Sequence, residues 1–140
     1  MNGPASQAAS TVRTSPRSAM PPIGPDLAGA LDDLEYIHPG IDLIRDGIRL
    51  LATERLTADR TQTLLAALAG SDGADVLTLL TLLIQRLTDA DTNPALRRID
   101  PALLATIRAL GDQAAYTTHE FAPRDLVAEA SGLIYEATTD

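Results

Sequence analysis

The chain has 140 residues, a net charge of −8 and no cysteine. That length supports one domain with a real core, and the missing thiol excludes disulfides, thiolate metal sites and cysteine nucleophiles. All eleven basic residues are arginine, which also removes any phosphate loop that depends on a lysine.

Apolar residues make up 45% of the chain, but aromatics only 3%. A core drawn from Leu, Ala, Ile and Val points to helices, because sheets draw more on aromatic and β-branched side chains. The first 25 residues hold Arg13, Arg17 and no acid, which leaves −10 on residues 26–140. A body of that charge repels phosphate backbones, so nucleic acid is not an expected partner.

Residues 1–25 are rich in Pro, Ser, Ala and Thr and show no apolar period. Such a segment cannot bury enough surface to offset its ordering entropy, and it is expected to be a disordered tail. It lacks the apolar stretch of a secretory signal. A single helical domain is expected over 26–140.

A first helix is expected from Pro25 or Asp26, with Leu27, Leu31 and Leu34 on one face. His38-Pro39-Gly40 is expected to end it. A second helix spans about Ile41 to Arg55, with Ile41, Ile44, Ile48 and Leu51 at helical spacing. Thr57 reads as the N-cap of a third, which stops near Gly70.

The run Val76–Leu87 places eight large aliphatic residues in twelve positions. Its polar residues Thr78, Thr81 and Gln85, with Thr88 beyond, step by three and four. They draw one narrow stripe along a helix expected from Ala74 to Thr88, capped by Ser71 or Asp72. So wide an apolar arc predicts a central helix covered by its neighbours. The run is too short for a membrane span, and Asp72 and Asp75 would each add roughly 2.5–3.5 kcal/mol to insertion of a longer window.

Asp100-Pro101 opens a fifth helix as a cap followed by a proline at the first helical position. Its expected core stripe is Leu103, Ile107, Leu110 and Ala114, and its expected end is Tyr116. Residues 117–122 are expected to form a short connection. A sixth helix from about Pro123 carries Leu126, Val127, Ala130, Leu133 and Ile134.

Chemistry is sparse. Glu35-Tyr-Ile-His38 has the Glu-x-x-His spacing of helical di-iron ligands, but such sites need two copies and two further glutamates. The weak metal candidates are therefore Glu35, His38, His119 and Glu120, and no metal or other cofactor is expected. Asp32-Asp33-Leu-Glu35 reads as a solvated acidic face. There is no Gly-x-Ser-x-Gly elbow and no Gly-x-Gly-x-x-Gly loop. Tyr116-Thr-Thr-His-Glu120 fits a loose Tyr-x-x-x-Glu pattern of secreted helical hairpins, but their companion Trp-x-Gly turn is missing, since the chain has no Trp.

The sequence thus predicts an all-α, compact bundle of five to six helices with a disordered N-terminal tail. The functional expectation is a cytoplasmic, non-catalytic protein–protein interaction or regulatory module with an acidic surface. Tyr36, Phe121 and Tyr135 are the candidate partner-binding residues, and the partner is another protein, a basic one included, or a second copy. A self-associating structural protein is the alternative, and a metal-dependent helical-bundle enzyme the least favoured reading. No membrane association is expected.

Overall fold

The computed structural model describes residues 20–70 and 75–139. The chain is all-α: α1 (Pro25–Asp33), α2 (Pro39–Thr53), α3 (Ala58–Ala69), α4 (Val76–Thr88), α5 (Pro101–Glu120) and α6 (Arg124–Thr138), with a 3-10 turn at Pro94–Leu96. No strand occurs among the described residues. The disorder expected of the tail, and the capping expected of Ser71 or Asp72, fall mostly or wholly outside the described residues.

Contacts divide the chain into two compact units, one up to Arg55 and one from Leu56 onward. In the first, α1 starts on Pro25, whose missing N–H costs nothing at the first helical turn. It ends at Asp33, well before the expected stop at His38. Leu31 is the one residue of its apolar stripe that is buried, while Leu27 and Leu34 stay exposed. Arg45 of α2 donates from Nε to the Leu31 carbonyl, which ties the two helices together.

His38-Pro39-Gly40 begins α2 instead of ending α1. Nδ1 of His38 accepts from the Gly40 backbone N–H at 2.8 Å, and Pro39 occupies the first helical position. The imidazole acts as an N-cap acceptor. The preceding turn forces Tyr36 to φ 62°, a left-handed conformation that costs a bulky residue about 1–2 kcal/mol.

The second unit is built from two helix pairs. α3 packs along α6, and α4 packs along α5, with a smaller contact between α3 and α4. Thr57 caps α3 as expected, its hydroxyl accepting from Arg60 N at 3.1 Å. The cap of α4 is Asp75, whose Oδ1 accepts from Thr78 N at 2.9 Å, so α4 starts two residues later than expected. Asp100 caps α5 through Ala102 N, and Pro101 is its first residue. α5 runs on to Glu120 because Thr117 and Thr118 stay helical; the Thr118 hydroxyl bonds back to Ala114 O at 2.9 Å.

The connection from α4 to α5 is held by its own side chains. Thr92 and Asn93 donate to the Arg86 and Leu87 carbonyls at 2.7 and 2.9 Å, which satisfies the orphan acceptors at the end of α4. Arg97 donates to the Ala90 carbonyl at 3.0 Å.

Candidate functional site

α4 does not take the central, covered position its composition suggests. The residues it turns toward α5 are the polar stripe. Thr81 is buried, and Thr78, Gln85 and Thr88 are half-buried. They lie along α5 in antiparallel order, Thr88 beside Gly111, Gln85 beside Asp112, and Thr81 and Thr78 near Ala115 and His119.

This burial is inexpensive because the Thr81 and Thr88 hydroxyls are satisfied by their own helix. Thr81 Oγ1 donates to Thr78 O at 2.7 Å and Thr88 Oγ1 to Ile84 O at 2.9 Å. A threonine bonded in this way needs no partner on the neighbouring helix, and Thr88 meets Gly111 with Oγ1 and Cβ nearest and its methyl farther off. α5 answers with Gly111 and Ala115, both buried, at the Gly-x-x-x-Ala spacing that lets helices approach closely. A Cβ added at Gly111 would lie 1.9 Å from Thr88 Oγ1, so only glycine fits there. The face of α5 that packs is therefore Leu104, Ile107, Gly111, Ala115 and Thr118. It is rotated from the expected stripe, and Leu103 and Leu110 are exposed.

The consequence is an outward apolar surface. Val76, Leu79, Leu80, Leu83, Ile84 and Leu87 of α4 are all exposed, Leu79 by 65%. At 100° per residue these positions fill one continuous arc opposite the polar stripe. α6 repeats the pattern on a smaller scale. Leu126, Ala130, Leu133 and Ala137 are exposed at 4-3-4 spacing, with Asp125, Glu129 and Glu136 beside them. That spacing is the seam of a helix that packs lengthwise against another.

One buried polar centre locks the second unit. The Asp75 side chain is fully buried, and Arg124 at the start of α6 meets it with two bonds, Nε to Oδ2 at 2.9 Å and Nη2 to Oδ1 at 3.2 Å. Arg124 also donates to Thr78 Oγ1 at 3.0 Å and to the His119 carbonyl at 3.0 Å. The guanidinium thus ties together the beginning of α4, the end of α5 and the beginning of α6. Its hydrogen bonds hold the Asp75 carboxyl well below the usual carboxylate range. Burial pushes the other way, and the Thr78 N–H and hydroxyl add to the lowering.

The sequence candidates scatter. Glu35 lies in the turn after α1 and His38 caps α2, so the Glu-x-x-His pair does not share a helical face. Those two belong to the first unit, whereas His119 and Glu120 belong to the second, at the end of α5. Among the described residues, no three His, Asp or Glu side chains stand where they could hold a metal ion. Tyr36 and Phe121 are exposed by 86% and 78%, and Tyr135 is exposed as well. Phe121 precedes α6 and Tyr135 lies eleven residues beyond Arg124, about 16 Å along the helix.

Two of the shallow openings in the second unit border the polar stripe or the buried pair. One, of about 330 Å³, follows the α4–α5 seam from Thr78 to Gln85 and from Asp112 to His119. The other, of about 310 Å³, lies over Gly70, His119 and Arg124. No described helix is long and apolar enough to cross a membrane. No family model, characterised protein or solved structure matches the chain.

Proposed function

We propose that this chain is a cytoplasmic, non-catalytic protein–protein interaction module whose outward aliphatic faces, α4 foremost, are covered by another polypeptide. The observation that carries this reading is the inversion of α4, with threonines toward its partner helix and leucines toward the outside. An apolar face of that extent calls for either lipid or protein over it. α4 has 13 residues, about 20 Å of helix against a hydrocarbon core of ~30 Å, which favours protein. The acidic charge keeps such a chain dispersed until its partner binds.

The α6 seam supports the same role with a different chemistry. Its exposed leucines run beside Asp125, Glu129 and Glu136, a combination suited to a basic amphipathic helix.

The test is Leu83→Glu, at the middle of the α4 arc. In an interaction module, the variant at high dilution keeps its helical circular dichroism and its denaturation midpoint within about 0.5 kcal/mol of the parent, as surface substitutions do. If α4 were instead the core of the isolated chain, a buried glutamate would unfold it, and a collapse of the midpoint would refute the proposal.

A further inference from the structure

We infer that the polypeptide that covers α4 is a second copy of this chain, docked antiparallel through the same helix about a two-fold axis near Leu83. The inference rests on the reading of α4 as an interaction face, and two observations select the occupant.

The first is charge. Between Asp75, which is paired inside with Arg124, and Asp89, α4 carries one charged side chain, Arg86, and no carboxylate. A basic partner would find nothing to pair with on this face. Two copies, each at −8, would repel if they met through any acidic surface. α4 is the stretch where like surfaces can meet without apposed carboxylates, and antiparallel packing also sets the two helix dipoles favourably.

The second is area. The exposed aliphatic residues of α4, Leu82 included, leave on the order of 600 Å² open, the upper end of what a typical monomer shows in its largest patch. Two such faces in contact bury about 1,200 Å² in total, the lower edge of a stable specific interface. A two-fold contact needs a patch complementary to itself. An arc of leucine, isoleucine and valine centred on one residue meets that requirement, because Leu79 of one copy falls opposite Leu87 of the other.

The full chain lacks cysteine, so a single thiol can be placed at will. Sedimentation of the parent chain is expected to show a particle of twice 14.8 kDa at micromolar concentration. Its dissociation constant should fall at least threefold between 50 and 500 mM salt, as screening weakens the repulsion of like charges. Leu83→Glu should raise that constant at least 100-fold while helicity is kept. Leu83→Cys should give an oxidised dimer, and Leu126→Cys on α6, treated identically, should not.

A parent chain that stays monomeric at 200 μM overturns the inference, and so does a folded Leu83→Glu variant that stays dimeric. Thiol labelling of monomeric Leu83→Cys then tells the two failures apart. A freely reactive thiol means the face awaits a different protein, and the interaction reading stands without the second copy. A protected thiol means another part of the same chain covers α4, and both readings fall.

Discussion

The two helix pairs of the second unit solve one packing problem in opposite ways. Along α3 and α6 the half-buried residues include Leu64, Leu65, Val127 and Ile134, so the pair hides aliphatic side chains and is driven by the hydrophobic effect. Along α4 and α5 the inward residues are Thr78, Thr81, Gln85, Gly111 and Ala115, joined by Leu104 and Ile107 of α5, and most aliphatic residues of α4 point out. That second pair gains from close backbone approach and van der Waals contact, the arrangement used where lipid removes the hydrophobic drive between helices. In water it gives up the burial of a leucine-rich face. A pair built this way is complete only when something apolar covers its outside. The difference between the pairs thus separates a part that stabilises the monomer from a part that prepares an interface.

The largest expected effect comes from the bond that joins the two pairs. Arg124→Met leaves the Asp75 carboxylate buried without its bidentate partner, which should cost about 3 kcal/mol in urea unfolding. Adding Asp75→Asn, which still caps α4, should recover part of that loss. A loss below 1 kcal/mol for the single change would show that α4 and α6 are held by other contacts.

The same bond sets the acid limit. The Asp75 pKa is lowered in the folded chain from its ordinary 3.8, so the pair contributes fully above about pH 4. The contribution is lost as pH falls further, toward the folded value. Stability measured between about pH 4 and pH 2 should therefore drop more steeply in the parent chain than in Asp75→Asn. Equal slopes would remove Asp75 as the acid-sensitive group.

Two glycines sharpen the contrast between the pairs, with opposite signs. Gly111→Ala places a methyl on Thr88 and must part α4 from α5, at a cost of about 2 kcal/mol despite the gain in helix propensity. Gly132 lies in α6 with nothing within 4 Å of an added Cβ, so Gly132→Ala should stabilise by about 0.5–1 kcal/mol. Denaturation midpoints of the two variants on either side of the parent would establish the close approach of α4 and α5. A stabilised Gly111→Ala would show that this pair is looser than the geometry gives.

Much of the fold is legible in the sequence through local signals. Thr57 and Asp100-Pro101 mark helix starts because a cap acts on amides two or three residues away. His38-Pro39-Gly40 misleads, since Pro-Gly reads as a stop unless a neighbour caps the helix that follows, and a histidine is an uncommon cap. The orientation of α4 is not legible in its own periodicity. Hydrophobic periodicity assumes that the apolar face is the packed one, and α4 breaks that assumption because Gly111 and Ala115 let short threonine side chains approach more closely than leucines could. The spacing of Gly111 and Ala115 is the signal that could have found it. The Asp75–Arg124 pair has no sequence signal, for it links positions 49 residues apart.

The smallest expected effect asks what the polar stripe is for. Thr81 is buried, yet its hydroxyl donates to Thr78 O within its own helix and to no group on α5. Thr81→Val keeps the branched shape, and it removes a desolvated hydroxyl whose bond was local. The lost hydrogen bond and the relieved desolvation should nearly cancel, so urea unfolding should shift by no more than about 0.5 kcal/mol. Dimer dissociation should not change, because Thr81 lies on the opposite side of α4 from Leu83. A loss above 1.5 kcal/mol would mean that the stripe holds α5 through hydroxyl bonds across the seam. The α4–α5 pair would then be a polar network and not a contact set by close backbone approach, and its outward leucines would follow from that network alone.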